Sequence, residues 1–193
     1  GLGDVYKRQR DTSVVTAVSL GTEGATSKAQ KTDGGVGVHG SKIIDVVSHI
    51  KSLPRDERIL VFVQFSDLMQ QVSSALNEAG IKTLKLKGSV HQQTGALDEF
   101  QKENLKADDA RVLLLLSRDE SASGANLTTA NHAIFVHPLL TNTAQEYIAS
   151  ETQAIGRIRR YGQQREVRIW RFIARDSIDS EILSQRAAGL IGK

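Results

Sequence analysis

Three short runs in this chain are apolar at nearly every position: "ILVFV" from Ile59, "VLLLL" from Val112 and "HAIFV" from His132. A strand with one face in water alternates apolar and polar residues, and these do not alternate. Each must be covered on both faces, which is the condition of a parallel sheet with helices packed above and below. The intervening segments supply those helices. Ile43, Ile44, Val47, Ile50 and Leu53 recur at close to helical spacing, with Ser41 at the N-cap and Pro54 as the stop. Leu68, Val72, Leu76 and Ala79 repeat the pattern behind Ser66 or Asp67, and Gly80 ends it. "IKTLKLKG" alternates and reads as a strand ending at Gly88, "TGALDEFQKEN" as a short helix, and "TAQEYIASETQAIGRIRRYG" as a long one. "VRIWRFIA" is a further strand, and "SIDSEILSQRAAGL" is a closing helix capped by Ser177. Strand and helix alternate throughout, so the expected fold class is α/β, a layer of helices on each side of a mainly parallel sheet.

This organisation does not reach the start of the chain. "GDVYKRQ", Gly3 to Gln9, is what the nucleotide tract GGAGATGTGTATAAGAGACAG of a sequencing-library adapter encodes, codon for codon, so residues 1–9 are set aside from fold reasoning. Residues 10–40 are rich in Ser, Thr, Gly, Ala and Lys and read as a flexible linker, with Val14, Val15 and Val18 the one hint of a short strand or helix. The folded domain is expected over residues 41–188, with a tail over 189–193. The chain has no cysteine, which excludes disulfides and thiolate zinc sites. No apolar run approaches the roughly 20 residues that span a bilayer, so no membrane partner is expected.

Net charge is only +3, but Arg157, Arg159, Arg160, Arg165, Arg168, Arg171 and Arg175 crowd into one segment. On a continuous helix Gln153, Arg157 and Arg160 share one face at i, i+4 and i+7, with Arg159 pointing elsewhere. Two planar guanidiniums on a face suit phosphate oxygens, and a solvated arginine face has the same spacing. A second candidate is the loop from Ser117 to His132, which leaves the carboxyl end of a strand, where open α/β sheets bind ligands. Gly124 allows close backbone approach, and Asn126 and Thr128 can hydrogen-bond a ligand or their own backbone. Asp119 and Glu120 resemble a magnesium-binding pair, but they fall beyond the strand and no GxxxxGK[ST] precedes them, so no metal site is assigned. A third candidate is Lys87, Gly88 and Ser89. They can present an ammonium, backbone amides and a hydroxyl to a nucleic-acid backbone, and a plain strand-to-helix turn explains them equally well. His39, His49, His91, His132 and His137 show no metal spacing and are read as structural, and Trp170 as core.

Taken together these segments resemble the second RecA-like lobe of the SWI/SNF-type, helicase-like ATPases of superfamily two. "ILVFVQFSDLM" looks like the family's motif four, and "LLLLSRDESASGANLTTANHAIFVHPLL" like motif five with the strand after it. "QAIGRIRRYGQ" matches the motif six pattern Gln-Ala-x-x-Arg-x-x-Arg-x-Gly-Gln at every fixed position, and "VRIWRFIARDSIDSEIL" resembles the segment that follows. The resemblance implies a RecA-like αβα sandwich that works opposite a first lobe outside this chain. It implies that Arg157 and Arg160 are arginine fingers for ATP with Mg2+ bound on that lobe. Gln153, Gly124 and Asn126 would line the ATP cleft or couple the motifs, and Lys87, Gly88, Ser89 and Arg159 would contact DNA. The implied partners are double-stranded DNA or chromatin and the missing lobe, and the implied location is the nucleus. Where the residues alone stand, a non-catalytic nucleic-acid-binding or protein-interaction module remains the alternative. The chain departs from the family in having Ser121 and Ala122 where motif five usually has two glycines. It also has Thr94, Gly95 and Ala96 where an arginine usually follows "KGS".

Overall fold

The computed structural model describes residues 39–103, 105–106, 108–117 and 125–186, together with the backbone of 16–20. Six strands form one sheet: β1 (Thr16–Leu20), β2 (Ile59–Val63), β3 (Thr83–Leu86), β4 (Val112–Leu116), β5 (His132–Phe135) and β6 (Arg168–Ala174). Their order is β1-β6-β5-β2-β4-β3, and every pairing is parallel. Five helices connect them: α1 (Ser41–Ser52), α2 (Ser66–Glu78), α3 (Val90–Phe100), α4 (Ala144–Ile155) and α5 (Ile178–Arg186).

The unbroken apolar runs divide by the two-residue period of a strand. Ile59, Val61, Val63, Val112, Leu114 and Ile134 meet Val46, Ile50, Val72 and Leu76 of α1 and α2 on one face. Leu60, Phe62, Leu113, Leu115, Ala133 and Phe135 meet Phe100, Tyr147 and Ala154 of α3 and α4 on the other, with Ile182 and Leu183 of α5 at its margin. The fold is therefore the three-layer αβα sandwich. Leu60, Leu113 and Leu114 have no exposed surface, and a fully buried side chain of this size contributes about 1.5–3 kcal/mol. Beneath α4, Arg171 Nε of β6 donates to Glu151 Oε1 at 2.5 Å, with Glu151 1% exposed. Burial raises the Glu151 carboxyl above its ordinary range, and Arg171 pulls it back.

Four boundaries differ from the expectation. Residues 16–20 lie inside the segment read as a linker, yet pair with Trp170–Ala174 as edge strand β1. The sheet supplies these residues with backbone partners that local composition does not reveal. α3 begins at Val90 rather than Thr94, because Ser89 and Gln92 form a capping box. Gly40 and Phe65, not Ser41 and Ser66 or Asp67, hold the N-cap positions of α1 and α2. Finally α4 stops at Ile155, short of the arginine-rich stretch. Ser177 does cap α5, its Oγ accepting from Asp179 N at 3.2 Å.

Candidate functional site

β4 ends at the carboxyl edge of the sheet and β5 begins at its amino edge. Ser117 N still donates to Val63 O at 2.8 Å, which extends the β4 ladder by one bond. Residues 118–124, and with them Gly124, lie outside the described residues. From Ala125 the chain is tied down at the amino edge. Asn126 is exposed, and its carbonyl accepts from Gln101 Nε2 at 2.8 Å. Leu127 is fully buried, and its N–H donates to the carbonyl of Arg157 at 3.0 Å. Asn131 N and His132 N both donate to Arg58 O, and Arg168 N donates to Asn131 O at 2.8 Å.

The Arg157 contact brings in the arginine-rich turn. Gly156 caps α4, and Arg157 N, Ile158 N and Arg159 N continue with tight bonds to Ala154 O, Ile155 O and Ile155 O. Ile158 is fully buried and pins the turn to the core. Gly162, at φ +96°, reverses the chain. Gln163 Nε2 then donates to Ala130 O at 2.8 Å and to Ile158 O at 3.2 Å, and Arg165 Nη1 donates to Asp56 O at 2.9 Å. The bond from Leu127 to Arg157 O and that from Gln163 to Ile158 O engage backbone carbonyls of the turn outside the helical pattern, and α4 is not continued through it.

The expected single face of Gln153, Arg157 and Arg160 is accordingly absent. Gln153 is exposed on the last turn of α4, Arg157 is buried at 3% exposure, and Arg159 and Arg160 are exposed beyond the helix. Arg160 folds back so that Nε donates to Gly156 O at 2.9 Å, placing its cation at the electronegative end of α4. Sequence reading missed Gln163, although it lies in the quoted stretch, because its role depends on Ala130, which is remote in the chain. It also missed a cleft of about 470 Å³ beside the turn, lined by Asp56, Arg58, Thr128, Thr129, Gln163 and Arg165 among others.

A buried polar chain lies nearby under β5. Trp170 Nε1 donates to His132 Nδ1 at 2.9 Å, and His132 Nε2 lies 2.6 Å from Glu57 Oε2. An indole N–H can only donate, so Nδ1 accepts and the proton of the neutral ring sits on Nε2, facing Glu57. Burial lowers the proton affinity of His132, with Glu57 opposing the shift. This histidine and Trp170 are structural, as expected.

Lys87, Gly88 and Ser89 stand apart, at the carboxyl end of β3. All three are exposed. Gly88 has φ +101°, and a Cβ there would lie 2.3 Å from Gln92 Oε1. Ser89 Oγ accepts from Gln92 N at 3.4 Å, Ser89 N donates to Gln92 Oε1 at 2.9 Å, and Gln93 Nε2 donates to Gly88 O at 3.0 Å. The expected site residues thus form two groups on opposite edges of the sheet. Among the described residues no group of three or more His, Cys, Asp or Glu is placed to hold a metal ion, and no helix is long and apolar enough to cross a membrane.

Residues 41–162 match the helicase conserved C-terminal domain family. The chain is 47% identical over 188 residues to a protein of Cryptococcus neoformans named DNA (cytosine-5-)-methyltransferase DMT5, covering 97% of this chain and 8% of that protein. It is 34% identical over 169 residues to the DNA repair protein rad5 of Neurospora crassa, covering 84% of this chain and 13% of the relative. Among solved structures, the C-terminal part of the Fun30 ATPase domain superposes with a TM-score of 0.63 at 25% identity, over 75% of this chain and 44% of that one. The chain therefore spans only a small part, 8% and 13%, of these two curated relatives.

Proposed function

The chain belongs to the helicase conserved C-terminal domain family, as the second RecA-like lobe of a SWI/SNF-type helicase-like ATPase, and on that premise we propose that it is the arginine-supplying half of an ATP-driven DNA motor. In this reading ATP with Mg2+ is held by a first lobe elsewhere in the parent protein, and Arg160 and Arg157 stabilise the charge that builds up on the transferred phosphoryl group. Gln153, Gly124 and Asn126 link the nucleotide cleft to the DNA-contacting elements. Lys87, Gly88, Ser89 and Arg159 hold the backbone of double-stranded DNA in chromatin, in the nucleus. Closing and reopening of the cleft would then move one lobe along DNA while the other grips.

The observation that supports this reading best is the fastening of the 125–131 segment to the arginine turn, through Leu127 N to Arg157 O and Gln163 Nε2 to Ala130 O. It gathers Asn126 and the arginines at one edge of the sheet. Arg160 is already exposed there. Arg157 is buried, so its use as a finger requires the 156–160 turn to open when the lobes close.

The test uses the two-lobed parent protein. Arg160→Ala should lower DNA-stimulated ATP turnover by about 10³-fold or more, the scale of arginine fingers in GTPases, while DNA binding is largely kept. Turnover retained with DNA binding lost would overturn the proposal in favour of a non-catalytic nucleic-acid-binding module. The chain carries no GxxxxGK[ST] sequence, so by itself it should not hydrolyse ATP. Turnover by the purified chain would contradict the half-site.

A further inference from the structure

A second electropositive surface lies at the amino edge of the sheet, on the face covered by α1 and α2. It is a cleft of about 370 Å³ whose lining includes Lys51, Arg55, Lys82, Lys106 and Arg111. Asp108 and Asp109 are the acids of the lining, two carboxylates against five cations. Two helices end here, and helix carboxyl ends attract cations by their dipoles, so the first question is whether capping accounts for the charge. It accounts for one residue. Arg111 donates to Ile50 O at 2.6 Å, to Leu53 O at 3.2 Å and to Pro54 O at 2.5 Å, and so closes the end of α1. The end of α2 is closed by backbone alone: Gly80 N donates to Asn77 O and Ile81 N to Leu76 O, with Gly80 at φ +77°.

The side chains of Lys51, Arg55, Lys82 and Lys106 take no part in either cap. All four residues are exposed, and none is in an ion pair among the described residues. Asp108 is exposed in the lining and offsets part of this charge, while the other nearby acids are already engaged. Asp109 accepts from the backbone N–H of Lys106, Glu57 is held by His132 and Asn131, and Asp56 faces Arg165 at 3.5 Å. The cations also repel one another: after burial, Arg55 is the next cause that depresses the proton affinity of Arg111. A cleft that gathers like charges beyond what its own structure uses is suited to an external polyanion.

We propose that this cleft binds the phosphates of a single nucleic-acid strand, as a contact separate from Lys87, Gly88 and Ser89 and independent of any role in ATP turnover. The concave space admits one backbone rather than the convex flank of a duplex. Among the described residues no aromatic side chain lines it, so it offers phosphate contact without base stacking, and binding there has no base preference. Its apolar lining is limited to small patches such as Ala79, Ile81 and Leu105, which gives an acidic peptide little to anchor on.

The experiment measures binding of the whole chain to a fluorescent single-stranded oligodeoxynucleotide across a salt series. A triple variant, Lys51→Ala, Arg55→Ala and Lys82→Ala, is compared with Lys87→Ala, and urea unfolding is used to confirm that both fold. Each lost phosphate contact lowers the salt slope by about 0.7 for single strands, so the triple variant should lose about 2 from the slope. The effects of the triple variant and of Lys87→Ala should add, because the sites lie at opposite edges. Unchanged affinity and slope in the triple variant would overturn the proposal. So would cleft-dependent binding of polyglutamate with none of the oligonucleotide, which would assign the cleft to an acidic protein partner.

Discussion

The turn after β3 and the turn after α4 carry similar sequence promise, each with glycine and cations beside a helix end, and they are built on different principles. The first, residues 87–93, closes on itself. The side chains of Ser89, Gln92 and Gln93 all find partners within the turn, and Gly88 supplies the positive φ. The second, residues 156–165, is held from outside by Leu127, Ala130 and Asp56. A self-closed turn can change without consequence elsewhere. One held from outside passes any change to the segments that hold it.

The largest expected effect tests the second turn. Arg157→Ala should destabilise the chain by about 2–4 kcal/mol in urea unfolding, the range for truncating a buried side chain engaged by its surroundings. It should also speed amide exchange at Leu127. A loss confined to residues 156–160 would break the contrast. Gly88→Ala should cost about 1–2 kcal/mol through the positive φ and disturb only the start of α3; altered exchange in β4 or β5 would show the first turn to be coupled after all. Gln163→Ala gives up two bonds to carbonyls and should cost about 1 kcal/mol, with faster exchange near Ala130. Acid should act on the amino edge as well. His132 has its proton affinity lowered by burial from the ordinary 6.5, so the unfolded chain takes up a proton first. The stability it contributes is present above pH 6.5 and is lost as pH falls through the folded value. Unfolding midpoints at neutral and mildly acidic pH should converge in His132→Gln relative to the parent chain. The smallest effect is Arg160→Ala, within about 0.5 kcal/mol in stability. A larger loss would mean that the bond to Gly156 O is structural first.

The sandwich was legible because "ILVFV" and "VLLLL" admit one environment only, buried on both faces. The family pattern singles out the arginine-rich stretch, but its spacing reads as part of a continuous helix and not as a turn. The burial of Arg157 was not legible. Helical spacing assigns faces only while the helix lasts, and the turn beyond Ile155 is tied to Leu127 and Ala130, remote segments that no local pattern contains. β1 is only hinted at by Val14, Val15 and Val18 for a related reason: its hydrogen-bond partner is β6, some 150 positions away, as the pairing of Thr16 with Trp170 shows. The two-edge separation of the candidate residues arises because Lys87 to Ser89 follow the carboxyl end of β3 while residues 125–131 and 156–165 precede the amino ends of β5 and β6, which sequence order conceals.

The strand order β1-β6-β5-β2-β4-β3 also sets a timetable for biosynthesis. β2 becomes a central strand, yet both of its neighbours come later in the chain, Ile59 pairing with Val112 on one side and His132 on the other. At ribosomal speeds of about 5–20 residues per second, the fully apolar "ILVFV" waits for several seconds without a partner. Over that interval α1 and α2, made before and just after it, are the segments able to shield it. A nascent chain stalled before residue 112 would therefore be the form most exposed to chaperones and to aggregation.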